Sequence, residues 1–423
     1  MTDASVRVAP AAVAVSGPTV AGLELGRMAW LEVDLAALSA NLGQVRSLVG
    51  PAVRIAAVVK ADAYGHGLVP AARSFVAAGA DRLCVATLDE ALALRASMAD
   101  VPILVLFAIP AREVETAARA ALDVVASDES MTSEMLAAWA EARRPGLTVR
   151  FQVEVETGLG RGGVVPEAVV PLLRKLSDQP QVEVTGLWSH LARAEDERTS
   201  SEQGRRLVDA ATRVVEAGMA VPPLHMAGTG GLFAASCAHH DMVRPGLALY
   251  GELPEGLKIA PGASATASAL RPALTLKARP VRVISVPSGT AIGYGGRWVA
   301  GRISRIATLP VGYGDGFARG SQPGGSALVR GTRVPLVGTV AMDAVAADVT
   351  DVPAAGLDDE FVLLGGQGTE RITATELAQR RNTISWEVLS SMAERLPRVY
   401  HAGPRVLSVR TMAGESLVGP ERR

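Results

Sequence analysis

Short apolar runs alternate with amphipathic segments from about Met28 to residue 250. In the stretch 35–48, leucine and valine keep three- and four-residue spacing behind Asp34, which predicts an amphipathic helix with an aspartate N-cap. The apolar runs are rich in Val, Ile and Leu, as buried parallel strands are. Strands are therefore predicted at 55–59, 103–107, 149–155 and 184–190, and further helices at 68–79, 89–98, 112–121, 130–143, 165–178 and 201–218.

Repeated strand–helix units predict either a (β/α)8 barrel or a doubly wound sheet. No GxGxxG follows a strand with an acidic residue at the right distance, which disfavours the dinucleotide-binding form of the doubly wound sheet. From about residue 265 the pattern changes to short strand-like pieces between Gly, Pro and Asp turns, interrupted by one helix at 373–381. A mostly-β second domain is predicted, joined to the first by a linker at 251–264.

The chain has 423 residues, long enough for about two domains. Its formal net charge is −1, with 42 Lys and Arg against 43 Asp and Glu, and no block of one sign stands out. That balance argues against nucleic acid or a membrane surface as a partner. No uncharged apolar run is long enough to span a bilayer, so we expect a soluble protein.

The six histidines show none of the spacings typical of metal ligands, so no metal site is predicted. Cys84 and Cys237 lie among apolar or small residues, which favours buried thiols over a disulfide and fits a cytoplasmic location. Residues 1–27 are rich in Ala and Val but broken by Pro and Gly, and they lack the basic start and unbroken apolar core of a signal peptide. We expect a disordered extension there.

The run AVVKADAYGHG at 57–67 ends a predicted strand on Lys60. In a barrel, functional side chains gather at the carboxyl ends of the strands. An amine held there among apolar neighbours has a lowered pKa and can form a Schiff base with an aldehyde. A lysine at a strand end is more often a solvated surface residue, so the catalytic interpretation depends on other groups.

Other strand ends carry further candidates, and each alone also fits a structural role as a solvated arginine or a hydrogen-bonded histidine. A glycine-rich turn leading into a helix offers free backbone N–H groups to a phosphate. The candidates are Arg161 in ETGLGRGG, His190 at the end of LWSH, His225 before MAGTGGLF, and Arg244 in DMVRPGLALYG. Their recurrence at successive strand ends, beside a lysine and a phosphate-like turn, favours pyridoxal phosphate as the cofactor.

These segments resemble the alanine racemases, which are fold-type III pyridoxal-phosphate enzymes. The match continues through AIGYGGRW, LPVGYGDGF, GTVAMD, ITATELA and TISWEVLSSMAERLPRVY, and it covers roughly residues 28 to 402 in order. The resemblance implies a (β/α)8 barrel at 28–262, a mostly-β domain at 263–410 and a flexible tail at 411–423. It also implies a homodimer in which each β domain completes the partner's active site.

The resemblance implies a two-base racemisation of alanine. Lys60 would act on the D side and Tyr294 from the partner on the L side, with His190 as the helper of the tyrosine and Arg244 on the pyridine nitrogen. The other implied contacts follow from positions in the matched motifs. Cofactor contacts are Lys60, Tyr64, Arg161, His190, Thr229, Arg244, Gly246 and Leu247, and substrate contacts are Arg161, Tyr313, Met342, Asp343 and Trp386.

The sequence departs from the family pattern at Glu154, where many members carry a carbamylated lysine that orients the arginine matched by Arg161. A glutamate supplies the negative charge, but its shorter side chain leaves direct contact with Arg161 open, with a bridging water or Glu156 as the alternatives. Trp386 stands where a tyrosine typically lines the substrate entrance. Two alternatives therefore remain: racemisation of another small amino acid such as serine, and a catalytically altered pyridoxal-phosphate-binding paralogue.

Overall fold

The computed structural model describes residues 23–142, 144–234 and 239–417. Eight parallel strands close into a barrel, because the last strand pairs with the first. This closure confirms the predicted (β/α)8 barrel and excludes the doubly wound sheet, which has two open edges. With strands numbered in chain order, the barrel consists of β2 Arg54–Val58, β3 Arg82–Val85, β4 Ile103–Val105, β5 Leu122–Ala126, β6 Val149–Glu154, β7 Val182–Trp188, β8 Leu224–His225 and β9 Met242–Val243.

Helices connect the barrel strands and turn their apolar faces inward. The first, Leu35–Val49, begins as predicted behind Asp34, whose side chain accepts a hydrogen bond from the Ala37 N–H at 3.0 Å. Its Leu38 and Leu42 are fully buried, as their spacing predicted. The other helices of this half are Leu68–Ala77, Leu88–Ser97, Val114–Arg119, Glu129–Ala142, Val169–Ser177, Glu197–Glu216 and the short Thr229–Phe233.

The second half is mostly β, as predicted, and is built on one twelve-stranded sheet with a two-stranded ribbon. The predicted linker is partly helical, since the helix Ser264–Ala269 begins inside it. Two further helices, Ala374–Arg381 and Ser385–Ser390, follow the sheet's central strands. The strands are β10 Leu274–Ala278, β11 Arg282–Val286, β12 Ala291–Ile292, β13 Trp298–Val299, β14 Ser304–Leu309, β15 Ser326–Val329, β16 Thr332–Val337, β17 Val345–Asp348, β18 Phe361–Gln367, β19 Glu370–Ile372, β20 Arg398–Ala402, β21 Arg405–Thr411 and β22 Gly414–Leu417.

The first strand of the chain, β1 Ala29–Asp34, lies in the sheet of the β domain and not in the barrel. It runs antiparallel to β10 and parallel to β20, with Leu31 opposite both Leu276 and Arg398. This corrects the expected start of the barrel at residue 28, because the first barrel strand is β2. Apolar periodicity predicts a strand at this position, but it carries no information about which sheet the strand joins.

The start of the described chain is packed against the β domain. Leu25 packs against the cluster of Trp30, Val399 and Val406, and Arg27 forms an ion pair with Asp315 at 2.6 Å. The last five residues of the expected disordered extension, 1–27, are therefore folded, and the rest of that extension lies outside the described residues.

The end of the described chain adds an edge strand, because β22 pairs antiparallel with β21. This corrects the flexible tail expected at 411–423 as far as Leu417, and the final residues lie outside the described part. Cys84 is buried, and burial raises the pKa of its thiol to about 11, whereas Cys237 falls outside the described residues. Across residues 23–142, 144–234 and 239–417, none of the helices is long and apolar enough to cross a membrane.

Candidate active site

A cavity of about 200 Å³ opens where the barrel strands end, and we call it the mouth cavity. Side chains that follow parallel strands converge at this end of a barrel. Most of the predicted cofactor and substrate contacts line this single space, and of these only Trp386 comes from the β domain. The predicted residues that line it are Lys60, Tyr64, Arg161, His190, Thr229, Arg244, Gly246, Leu247 and Trp386.

Lys60 opens a left-handed turn directly after β2. The four residues 61–64 all have φ between +52° and +55°. A hydrogen bond from the Ala63 N–H to the Val59 carbonyl, at 2.9 Å, spans the turn. This conformation costs an L-residue roughly 1–2 kcal/mol, because Cβ crowds the following carbonyl oxygen. Such residues persist only where the surrounding structure holds them, and they cluster at functional sites.

Two residues that sequence reasoning missed hold this turn from the barrel side. The buried His66 donates from Nδ1 to two carbonyls of the turn, both at 3.0 Å. Glu90 accepts the Ala61 N–H at 2.6 Å, so it fixes the backbone next to the lysine. The capping box that begins at Thr87 was a sequence signal for Glu90, because it places that carboxylate at the start of a helix.

The electrostatic environment of Lys60 is that of a reactive amine. Burial lowers its pKa, the charges of Arg161 and Arg244 lower it further, and the carboxylate of Glu90 opposes them. A lowered pKa leaves a larger neutral fraction at neutral pH, and the neutral amine is both nucleophile and proton acceptor. Lys60 therefore lines the mouth cavity with a lowered pKa, which a solvated surface lysine does not have.

Arg244 is buried and fixed on several sides. Its Nη2 donates to the Ser189 carbonyl at 2.7 Å and to His190 Nδ1 at 3.2 Å, and its Nη1 donates to His225 Nδ1 at 2.5 Å. The guanidinium also lies over the Trp188 ring, 4.6 Å from the centroid. Burial lowers its pKa to about 10, so it stays protonated at neutral pH.

Both histidines beside Arg244 are neutral. Burial lowers the pKa of His190 to about 3 and that of His225 well below its usual value, and the charge of Arg244 adds to each shift. Because Nδ1 accepts from Arg244 in each ring, the ring proton is on Nε2. His225 Nε2 then donates to Gln152 Oε1 at 2.8 Å, and Gln152 donates to Asp123 at 3.0 Å. Sequence reasoning missed Gln152 and Asp123. Apolar periodicity predicts a strand, but it does not show which polar residues of that strand are hydrogen-bonded inside the barrel.

Arg161 contacts Glu154 directly, with 3.6 Å between Nη2 and Oε1. The direct contact between Glu154 and Arg161, which the sequence alone did not decide, is therefore present. Burial raises the pKa of Glu154, and the charge of Arg161 opposes that rise. Arg161 also lies over the Phe107 ring, 5.3 Å from its centroid. Glu156 accepts the Gly160 N–H at 2.8 Å, so it stabilises its own loop and does not take over the contact with Arg161.

Thr229 faces the segment that follows β9 and forms a cradle with it. Its Oγ1 accepts the N–H groups of Gly246 and Ala248 at 3.1 and 3.2 Å. Gly246 is required by a close approach, since a Cβ there would lie 2.5 Å from the Tyr64 hydroxyl oxygen. The hydroxyls of Thr229 and Tyr64 therefore lie beside this segment, and neutral donors of this kind suit a phosphate.

Family models cover most of the chain. Residues 33–254 match the one described as alanine racemase, N-terminal domain, and residues 273–400 match alanine racemase, C-terminal domain. The chain belongs to the alanine racemase family. The family predicted from the sequence is thereby confirmed, together with its assignment to an enzyme class.

Individual alanine racemases match over nearly their whole length. The one from Syntrophobacter fumaroxidans is 39% identical, with 88% of this chain and 98% of that protein aligned, and the one from Symbiobacterium thermophilum is 40% identical over 88% and 97%. The solved Bacillus anthracis alanine racemase, with bound L-Ala-P, has a TM-score of 0.83 at 30% identity over 92% of this chain and 99% of that one. The Streptomyces coelicolor alanine racemase has a TM-score of 0.79 at 36% identity over 88% and 98%.

Four residues that match alanine racemase motifs lie outside the mouth cavity, on a surface of the β domain that we call the tyrosine face. Tyr294 is 76% exposed, and Met342 is 52% exposed. The structure therefore does not bring these residues to the lysine of the same chain. The tyrosine face consists of Tyr294, Tyr313, Met342 and Asp343.

Hydrogen bonds tie the loops of the tyrosine face together. Thr339 Oγ1 donates to the Tyr294 carbonyl at 3.1 Å, which links that loop to the loop of Met342. Arg395 donates to Asp343 at 2.6 Å and to the buried Asp315 at 2.7 Å. The exposed side chains thus stand on a fixed backbone. Arg395 is a supporting residue that sequence reasoning missed, because its partners are remote in sequence.

Trp386 lies on the helix Ser385–Ser390 and lines the mouth cavity of its own chain. An indole N–H donates but does not accept, and the ring is larger than the phenol that the family resemblance implies at this position. The cavity wall at this point therefore offers a donor and no acceptor.

Proposed function

We propose that this chain interconverts L- and D-alanine and uses pyridoxal phosphate held in the mouth cavity. The observation that carries the proposal is Lys60, a partly buried amine with a lowered pKa beside Arg161 and Arg244. The membership of the chain in the alanine racemase family supports the choice of alanine.

The residues of the mouth cavity fit the cofactor. The hydroxyls of Thr229 and Tyr64 and the backbone N–H of Leu247 would supply neutral donors for a phosphate, and Arg161 would supply a cation for a phenolic oxygen. Lys60 supplies the amine to which the aldehyde would be attached. When bound, the cofactor draws electrons from the substrate's Cα–H bond and makes that hydrogen acidic.

Arg244 would donate to the pyridine nitrogen. Its contacts with Ser189, His190 and His225 run through Nη1 and Nη2, so the Nε–H is a donor that these contacts leave for a ligand. A protonated guanidinium donates and does not accept, and the two neutral histidines beside it keep it in place. The ring nitrogen would therefore stay unprotonated.

Two bases are needed, because racemisation removes a proton from one face of Cα and returns one to the opposite face. Lys60 would serve one face with its neutral amine. The partner subunit's Tyr294 would serve the other, since Tyr294 stands exposed on the tyrosine face of its own chain. His190 supports this arrangement, because its Nε2–H can donate to a phenol oxygen and favour the phenolate.

Racemisation of another small amino acid, such as serine, is the second candidate. The observation that favours it is Trp386, which lines the mouth cavity in place of a phenol. A changed hydrogen-bonding edge alters selection among substrates that differ by one hydroxyl.

Incubation in heavy water with pyridoxal phosphate tests both candidates. L-alanine and L-serine are supplied separately, NMR follows loss of the α-proton signal, and chiral chromatography counts the D-enantiomer. Faster exchange and inversion with alanine support the first proposal, and faster inversion of serine supports the second. Exchange without inversion would contradict the two-base scheme, and no exchange with either substrate would contradict both candidates. Lys60→Ala serves as the inactive control.

A further inference from the structure

The left-handed turn at 61–64 is fastened by the β domain of the same chain. Asp62 accepts the Leu68 N–H at 2.8 Å, which closes the segment behind the turn. The same carboxylate receives two hydrogen bonds from Arg410 of β21, one of them at 2.9 Å from Nη1. Arg398 of β20 contributes a second cation, 3.6 Å from the carboxylate.

The β domain also contacts the backbone just after the turn. Arg398 is fully buried, and its Nε donates to the Gly65 carbonyl at 2.9 Å. Gly65 has φ +79°, and a Cβ there would collide with the carbonyl of Leu389. A Cβ at Gly67 would collide with the hydroxyl of Tyr400. The β domain thus lies against the turn with no space left for a side chain.

The turn carries a cavity residue at each end. Lys60 precedes its first left-handed residue, and Tyr64 is its last. Both line the mouth cavity, and the Tyr64 hydroxyl lies against Gly246. Because one rigid turn joins them, a change in its conformation moves the amine and the hydroxyl together.

We propose that the Asp62–Arg410 ion pair is a positioning contact that holds the left-handed turn, so that the geometry of Lys60 and Tyr64 depends on the β domain of their own chain. The part that concerns the cofactor rests on the proposed function. The part that concerns the turn does not, because it is a property of the ligand-free protein.

The ion pair is suited to this role. An arginine that binds a carboxylate through two parallel hydrogen bonds fixes direction as well as distance. Burial acts to raise the pKa of Asp62, but the hydrogen bonds and charges of Arg410 and Arg398 outweigh it, so the pKa is below its usual value. The carboxylate is therefore charged at neutral pH. Residues in left-handed conformation return to commoner conformations when their surroundings release them.

Three variants test the contact in the full-length, ligand-free protein. Arg410→Gln removes the charged partner, Asp62→Asn keeps an oxygen for the Leu68 N–H but removes the charge, and Arg410→Lys keeps the charge. Arg279→Gln is the matched control, because Arg279 forms a comparably half-buried ion pair with Glu360 in the same sheet at 3.2 Å. The readout is amide hydrogen exchange at residues 61–68, together with the pH dependence of Lys60 acylation followed by mass spectrometry.

We expect Arg410→Gln and Asp62→Asn to speed exchange at 61–68 by about tenfold, whereas Arg279→Gln leaves it unchanged. The combination of both substitutions should be no worse than Asp62→Asn alone, because that substitution already removes the charge that Arg410 binds. The pKa of Lys60 should move up toward its ordinary value as the amine gains solvent. Arg410→Lys should restore part of each effect. Pyridoxal phosphate affinity, measured by fluorescence titration, should fall about tenfold in step with the exchange rate.

Equal rates of amide hydrogen exchange at residues 61–68 in Arg410→Gln and Arg279→Gln would overturn the proposal, whatever racemase activity the two variants have. Faster exchange at 61–68 with unchanged pyridoxal phosphate affinity would overturn the link between the β domain and the cofactor. If the unsubstituted protein bound no pyridoxal phosphate, the proposed function would fail, while the exchange comparison would still decide the role of the ion pair. If Arg410→Gln failed to fold, Asp62→Asn and Arg410→Lys would give the same comparison.

Discussion

The mouth cavity and the tyrosine face differ in how far their side chains are enclosed by residues of the same chain. In the mouth cavity Lys60 is partly buried and Arg244 is buried, and Arg161 and Arg244 both have polar partners within the chain. On the tyrosine face the backbone is fixed by hydrogen bonds, but Tyr294 projects into solvent. The side chains of the mouth cavity are held in place by their own chain. Those of the tyrosine face are exposed, as the proposed contribution to a partner's site requires.

The largest expected effect comes from the mouth cavity. Lys60→Ala should lower alanine racemisation by at least about 10³-fold, because the chain loses both a covalent attachment point and a general base. Rates of D-alanine formation and pyridoxal phosphate binding are measured together. Lys175→Ala is the control, since Lys175 is an exposed lysine that bonds to Ser133. Retained turnover in Lys60→Ala would remove the lysine from the mechanism.

Mixing two inactive variants sharpens the comparison between the regions. Tyr294→Phe should lower racemisation by about 10²–10⁴-fold, the typical contribution of a positioned base. When Lys60→Ala and Tyr294→Phe chains are unfolded together and refolded, mixed dimers should regain activity, because one of their two sites has both native residues. The measurement is D-alanine formation after mixing, against each variant refolded alone. No regain in verified mixed dimers would mean that Tyr294 does not act across chains.

A smaller effect is expected at Glu154, which neutralises one cation of the mouth cavity. Glu154→Gln should lower kcat/KM by about tenfold, because Arg161 loses its buried carboxylate partner at 3.6 Å. Steady-state kinetics and pyridoxal phosphate affinity check this. Glu156→Gln is the control, since Glu156 bonds to the backbone of its own loop. An equal loss in both variants would point to loop stability instead of the charge on Arg161.

The smallest expected effect is on the free energy of unfolding at acid pH, and it comes from a histidine of the barrel half. The pKa of the buried His66 is lowered to about 4 from 6.5, chiefly by burial. Between these values the unfolded chain binds a proton that the folded chain does not, so stability is lost as pH falls, by about 1.4 kcal/mol per pH unit for this group. Urea unfolding at pH 7.5 and pH 5.5 should show a smaller loss for His66→Asn than for the unsubstituted protein. His401→Asn, at a solvent-accessible histidine of β20, should leave the loss unchanged.

Sequence patterns predicted the features that depend on local spacing or on matched motifs. The barrel strands β2, β4, β6 and β7, the helix behind Asp34 and the cavity residues Lys60, Arg161 and Arg244 follow from such patterns, whereas β3, β5, β8 and β9 were not predicted. The features that were missed depend on partners remote in the chain. Gln152 is polar within a buried strand because it forms a hydrogen bond with His225 two strands away, and a single sequence does not record that contact.

Backbone conformation was a second limit of sequence reasoning. The glycines at 65 and 67 indicate a turn after Lys60, but Ala61, Asp62 and Ala63 are ordinary residues with no intrinsic preference for positive φ. Residues remote in the chain, such as Glu90 and Arg410, form hydrogen bonds with this segment. The turn was therefore predictable as a turn, but not as a left-handed one.

The placement of β1 sets an order of assembly during synthesis. β1 is translated before the whole barrel, whereas its two neighbours β10 and β20 are translated after it, with Leu31 opposite both Leu276 and Arg398. The barrel can close as soon as β9 has emerged, while β1 gains its first partner only with β10 and its second only with β20. Contacts of such long sequence separation form slowly. The nascent chain therefore carries the unpaired apolar strand β1 throughout the synthesis of the barrel.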